Sequence, residues 1–304
     1  MNKEEPAITK LLKSDKLPVL RTLYRLITSI FVFGLFVSTA SAQRVETVKF
    51  ESKLVNAPLP YNVVLPKDYD TARATRYPVL YLLHGLTGHY SDWAARTNVA
   101  DYASHYRLIV VMPEGNDGWY TDSATVATEK YESYILKELI PDVQQHYRTI
   151  EARYGRSIAG LSMGGYGSLK FGLKSPETFI FAGSMSGAFG VTRAGEKEIG
   201  SSRWETALKL FGPVGSETRK DNDLFDIINN LTAARIGALP FFYFDCGTED
   251  SDRIFLSNRE LAALMVAKKI PHEYRELPGD HSWGYWDQQV REVLQIAASK
   301  MKAD

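Results

Sequence analysis

Arg156-Ser157-Ile158-Ala159-Gly160-Leu161-Ser162-Met163-Gly164-Gly165-Tyr166-Gly167 is the stretch on which the fold turns. Arg156–Ala159 reads as a strand, and a helix is expected over 164–174. Between them Ser162 has a glycine two residues before it and another two after it. A sharp strand-to-helix turn brings its neighbours close together, and small residues at those two places make it possible. Such a turn lifts the serine hydroxyl clear of the sheet. It also sets the start of the next helix beneath it, where backbone N–H groups and the helix dipole favour a developing negative charge.

Working outward, Val79–Leu83 and Leu108–Met112 are unbroken apolar runs, as strands covered on both faces require. Phe179–Met185, Phe241–Asp245 and His272–Leu277 read as further strands. Helical stretches alternate with them: Glu129–Tyr147 with a kink at Pro141, one around Leu261, and a last one carrying Val290, Val293, Leu294 and Ala297 on one face. Val45–Val55 and Leu59–Leu65 read as two antiparallel edge strands, with Pro58 and Pro60 marking the turn between them. Strand alternating with helix argues one α/β domain over residues 43–304, built on a doubly wound, mostly parallel sheet. Residues 191–238 read as an insertion over the site, with helices around Trp204–Leu210 and Asp223–Ala234.

Composition narrows the function. The chain of 304 residues carries 36 basic and 36 acidic side chains, so no basic excess points to nucleic acid. Residues 1–42 differ from the rest. Arg21 and Arg25 precede an uncharged apolar stretch from Leu26 to Val37, followed by Ser38-Thr39-Ala40-Ser41-Ala42. That is the layout of an export signal cut after Ala42, which predicts a secreted or periplasmic protein with no stable membrane association after cleavage. The rival reading is an uncleaved anchor; the stretch is short for the about 20 residues a span needs. Cys246 is the single cysteine, so no intrachain disulfide forms, and no Cys/His cluster suggests structural zinc.

A serine hydroxyl needs a base in reach and a third group to orient that base. Of six histidines, His281 stands out, in the loop Pro278-Gly279-Asp280-His281-Ser282-Trp283 after the last strand. Loops at the C-terminal ends of strands are where open α/β sheets place ligands. The acid is expected after the preceding strand, in Asp245-Cys246-Gly247-Thr248-Glu249-Asp250. Asp250, past the turn, is the first choice; Asp245 is the second and is expected to hold loop backbone. Oxyanion donors are expected from the N–H of Met163 and from the loop His84-Gly85-Leu86-Thr87-Gly88, Leu86 first and Gly85 second. His84 is expected to brace that turn. Among the aromatics near these loops, Trp119, Tyr120 and Trp283 are the candidates for contact with substrate.

Taken together, Leu82-Leu83-His84-Gly85, the Gly160–Gly167 segment, Asp245–Asp250 and His281-Ser282-Trp283 with Tyr285-Trp286 resemble the esterase branch of the α/β-hydrolases. That group includes feruloyl and acetyl-xylan esterases, tributyrin esterases, S-formylglutathione hydrolases and mycolyltransferases. The resemblance extends from about Val45 to Ala298. It implies an α/β-hydrolase fold, a Ser162, Asp250, His281 triad, and no metal or organic cofactor. The implied reaction is hydrolysis of short-chain or aryl-acyl esters, free or linked to polysaccharide. Acyl transfer to a sugar hydroxyl and thioester hydrolysis are the alternatives.

Overall fold

The computed structural model describes residues 44–303, so the expected signal at residues 1–42 lies outside the described residues. Eight strands form the main sheet: β1 (Val45–Val48), β4 (Tyr61–Val64), β5 (Val79–Leu83), β6 (Ile109–Pro113), β7 (Arg156–Leu161), β8 (Phe181–Met185), β9 (Phe241–Gly247) and β10 (His272–Leu277). Their spatial order is β1-β4-β6-β5-β7-β8-β9-β10. β1 pairs with β4 and β4 with β6 in antiparallel register; every later pairing is parallel. This is the α/β-hydrolase arrangement, with its antiparallel strands at the N-terminal edge.

The unbroken apolar runs have a direct cause. All five residues of β5 and all five of β6 are buried, and alternate side chains enter opposite layers. Val79, Tyr81 and Leu83 join the core beneath the helix after Ser162 and the insertion. Leu80 and Leu82 join the core beneath the last helix, Trp283–Met301. Truncating one such side chain to alanine typically costs ~2–5 kcal/mol.

Three local expectations change. The expected strand Val45–Val55 stops at Val48. Glu51–Ser52 (β2) pairs instead with Ala57–Pro58 (β3) in a separate ribbon, whose turn passes through Asn56 at φ 56°. The expected Glu129–Tyr147 helix begins at Tyr131, and its irregularity lies ahead of Pro141: Ile135–Leu139 is a π-helical turn. Pro141 falls in the first turn of the following α segment, Ile140–His146, where its missing N–H costs little. In the insertion, the expected Asp223–Ala234 helix is two: Leu224–Asn229, capped by the Asp223 carboxylate, and Ala233–Ala238, capped by the Thr232 hydroxyl. Ser202–Phe211 and Glu217–Lys220 complete that region. Among the described residues no helix is long and apolar enough to cross a membrane.

Candidate active site

Ser162 sits between β7 and the helix Met163–Lys174 with φ 51° and ψ −111°, a backbone conformation that L residues rarely adopt. Packing keeps it there. A Cβ on Gly160 would lie 2.5 Å from the Gly164 carbonyl carbon, and one on Gly164 would lie 2.6 Å from the carbonyl oxygens of Leu83 and His84. The turn and β5 are therefore pressed backbone to backbone. The Ser162 N–H donates to the Met185 carbonyl at 2.9 Å, and its own carbonyl accepts from Ala188 at 3.1 Å.

His281 and Asp250 come from adjacent parallel strands. Beyond β9 and β10 their loops stay laced: Thr248 N–H donates to Leu277 O at 2.8 Å and Glu249 N–H to Gly279 O at 2.9 Å. A Cβ on Gly247 would lie 2.2 Å from that Gly279 oxygen, so only glycine allows the approach. The Asp250 side chain is fully buried, with Oδ1 accepting from the Ser251 N–H at 2.7 Å. Its Oδ2 is 2.8 Å from His281 Nδ1, and His281 Nε2 is 3.0 Å from Ser162 Oγ. A carboxylate only accepts, so Nδ1 carries the proton and Nε2 is free to accept from the serine. The Trp286 indole meets the imidazole edge-on, centroids 4.9 Å apart.

Asp245, the second-choice acid, has a different place. Its carboxyl is wholly buried, and Oδ1 accepts from the Tyr285 hydroxyl at 2.7 Å. The expected hold on loop backbone belongs to its carbonyl, which accepts from Ser186 N–H at 2.9 Å. Burial raises the carboxyl pKa to about 7, against the pull of the Tyr285 and Tyr243 hydroxyls.

On the oxyanion side, Met163 opens its helix, so its N–H has no acceptor within it. Among the described residues the Leu86 N–H has no internal acceptor either. The Leu86 loop is held at several points. His84 Nδ1 lies 2.8 Å from Gly85 O, and the Gly115 N–H donates to His84 Nε2 at 2.9 Å. Thr87 N–H donates to Asp117 Oδ1 at 2.7 Å, and Trp93 Nε1 to Leu83 O at 3.1 Å.

Tyr120 is the correction among the substrate-contact candidates. It is fully buried, and its hydroxyl donates to the His84 carbonyl at 3.1 Å. A ring enclosed under the oxyanion loop supports that loop and cannot touch substrate. Trp119 and Trp283 line two different cavities, both of which reach Ser162. One, of about 410 Å³, is bounded by Trp119, Ala188, Val191, Arg203 and Ile254. The other, of about 610 Å³, is bounded by His281, Trp283, Trp286, Asp92 and Arg96. Leu86 and Thr87 belong to both. Arg203, Ile254 and Asp117 carried no sequence signal, because each reaches the cavity from a segment with no motif of its own. Among the described residues no group of three or more His, Cys, Asp or Glu side chains is placed to hold a metal ion.

Comparison with known proteins bears on this geometry. The chain is 26% identical over 258 residues to an acetyl esterase of Caldicellulosiruptor saccharolyticus, covering 82% of this chain and 96% of that protein. It is 31% identical over 242 residues to an esterase of Mycobacterium tuberculosis, covering 72% of this chain and 52% of the relative, so it spans about half that protein's length. A solved ferulic acid esterase superposes with a TM-score of 0.72 at 26% identity, covering 85% of this chain and 99% of that one. The family model Esterase, described as Putative esterase, matches residues 52–295, which include the serine turn, the acid loop and the histidine loop alike. With that match running through nearly the whole sheet, the chain belongs to the Esterase family of α/β-hydrolases and is a carboxylic ester hydrolase.

Proposed function

We propose that the protein is an exported serine carboxylesterase that works through an acyl-enzyme. The observation that carries this reading is the continuous line of contacts from Asp250 through His281 to Ser162, at 2.8 and 3.0 Å. Ser162 Oγ attacks the ester carbonyl while His281 Nε2 takes its proton. Asp250 stabilises the imidazolium and keeps Nδ1 protonated. The N–H groups of Met163 and Leu86 receive the oxyanion, a contribution of ~3–4 kcal/mol per donor where one has been removed from such a site. His281 then returns its proton to the departing alcohol. Water enters, gives a proton to the same nitrogen and attacks the acyl carbonyl; as the Oγ–acyl bond breaks and the acid leaves, that proton passes to Ser162 Oγ.

This proton path assigns the cavities. The alcohol must leave beside the imidazole, so the cavity bounded by His281 and Trp283 takes the alcohol. The cavity under the insertion, without His281, takes the acyl group. Its walls combine Trp119, Val191 and Ile254 with Ser202, Thr206 and Arg203, which suits a short-chain or aryl-acyl group bearing polar substituents. The alcohol side is open and polar, which suits an ester carried on a polysaccharide as well as a small one. The leader at residues 26–42 supports release outside the cytoplasm.

Ser162→Ala, assayed on p-nitrophenyl acetate, is expected to lose activity on the order of 10⁶-fold. A fall of only tenfold would remove Ser162 from the mechanism. Hydrolysis assayed with added sugar alcohols separates this reading from acyl transfer: acylated sugar as the main product would overturn hydrolysis as the principal reaction.

A further inference from the structure

Lys170 lies two turns along the helix that begins after Ser162, and it is completely buried. A lysine ordinarily keeps its ammonium in water. Instead its ammonium ends in the interior, among groups from three other segments. Nζ donates to the Tyr120 carbonyl at 2.9 Å and to the Asn222 side-chain carbonyl at 3.1 Å, and it pairs with Glu132 at 2.9 Å. It also donates to the Thr121 hydroxyl, which donates in turn to the Trp119 carbonyl at 3.0 Å. Placing an ammonium in the interior costs several kcal/mol unless it is paired and hydrogen-bonded, and here its partners supply both.

Two of the partners, the Tyr120 carbonyl and the Thr121 hydroxyl, belong to one strained turn. Trp119 and Tyr120 are consecutive non-glycine residues at φ 51° and 50°. Such conformations persist only where surrounding contacts enforce them. The Lys170 ammonium holds the carbonyl of the second residue directly and that of the first through Thr121. A second route runs through Tyr166. Its ring lies 5.5 Å from the ammonium and meets the Trp119 indole edge-on at 5.8 Å, while its hydroxyl donates to the Asn222 carbonyl at 2.7 Å. Thus one lysine bolts the insertion to the Trp119 turn.

We propose that Lys170 is a positioning residue that sets acyl-group selectivity by fixing the Trp119 wall of the cavity beside Ser162. This rests on the acyl assignment of that cavity given above. Lys170 touches neither substrate nor the reacting atoms. Its main effect therefore falls on acyl groups long enough to reach Trp119, since Tyr120, whose carbonyl it also holds, keeps its own hydroxyl contact with the His84 carbonyl.

The test compares p-nitrophenyl acetate with p-nitrophenyl hexanoate in Lys170→Met, Trp119→Ala and the double variant. Lys170→Met is expected to raise KM for the hexanoate about tenfold while kcat/KM for the acetate stays within twofold, and the double variant is expected to match Trp119→Ala alone, as coupled neighbours do. Equal losses on both esters, or additive losses in the double variant, would overturn the proposal. Should Lys170→Met not fold, Asn222→Ala and Thr121→Val each remove one of its acceptors. They are expected to show the same hexanoate-selective rise in KM, and a uniform loss from both would overturn the proposal. Ser162→Ala separates the two levels. If it is inactive and Lys170→Met is unselective, only the positioning role fails; if it remains active, the acyl-enzyme reading fails with it.

Discussion

The floor and the roof of the site are built to opposite tolerances. In the floor, a methyl group on Gly160, Gly164 or Gly247 would be driven to within 2.6 Å of atoms already in place. In the roof, the insertion over residues 191–238, a methyl on Gly195, Gly200, Gly215 or Gly237 would meet nothing within 4 Å. The floor holds Ser162, His281 and Asp250 in mutual contact, where an error of 1 Å is costly. The roof only has to enclose an acyl group. Exactness is concentrated at the three groups the proposed mechanism uses, and slack is left in the region proposed to cover the acyl group.

The contrast breaks most visibly at Asp250. Asp250→Asn is expected to lower kcat on the order of 10⁴-fold, with the fold intact, because the amide presents a donor to Nδ1 and favours the wrong tautomer. A fall below tenfold in steady-state assays would show that the buried carboxylate does not orient His281. Next comes the floor itself. Gly164→Ala pushes a methyl against the carbonyls of Leu83 and His84. It is expected to cost ~1–3 kcal/mol in urea unfolding and at least about 10²-fold in kcat/KM.

A third change probes a buried charge beneath the floor. The Asp245 carboxyl stands at about 7, above its ordinary 3.8, because burial disfavours the anion. Between those values the fold keeps a proton that the unfolded chain has released, so stability falls as pH rises from about 4 to 7. Asp245→Asn removes that titration. It is expected to match the parent near pH 4 and to exceed it by roughly 4 kcal/mol near pH 8, read from urea curves at the two pH values. Equal differences at both pH values would contradict the assignment. The smallest effect belongs to the roof. Gly237 is exposed in the helix Ala233–Ala238. Gly237→Ala is expected to add ~0.5–1 kcal/mol of stability with unchanged turnover.

How much of this was legible in the chain follows the range of the interactions. Val79–Leu83 and the Gly160–Gly167 turn declare themselves because burial on both faces and a tight turn act on consecutive residues. Ser162, Asp250 and His281 were legible through the loops that carry them, each following its own strand. Tyr120 was misread because its enclosure depends on the carbonyl of His84, 36 residues away. Lys170 carried no signal of its burial for the same reason: Glu132 is 38 residues distant in sequence, and nothing in the helix's own spacing announces it. Asp245 belongs with these, since Tyr285, its partner, lies 40 residues further on. The edge ribbon and the π-helical turn were lost for a different reason. The ribbon pairs only two residues on each side, too few to show a period, and the π-helical turn is a local widening within an otherwise ordinary helical pattern.

The hydrogen bonds that lace Thr248 to Leu277 and Glu249 to Gly279 extend the sheet's ladder past its last strands. Asp250 and His281 therefore travel as one body when the protein breathes, and the joint free to open is the one between imidazole and hydroxyl. Heating should first idle the enzyme by parting those two groups, while carboxylate and ring stay clasped.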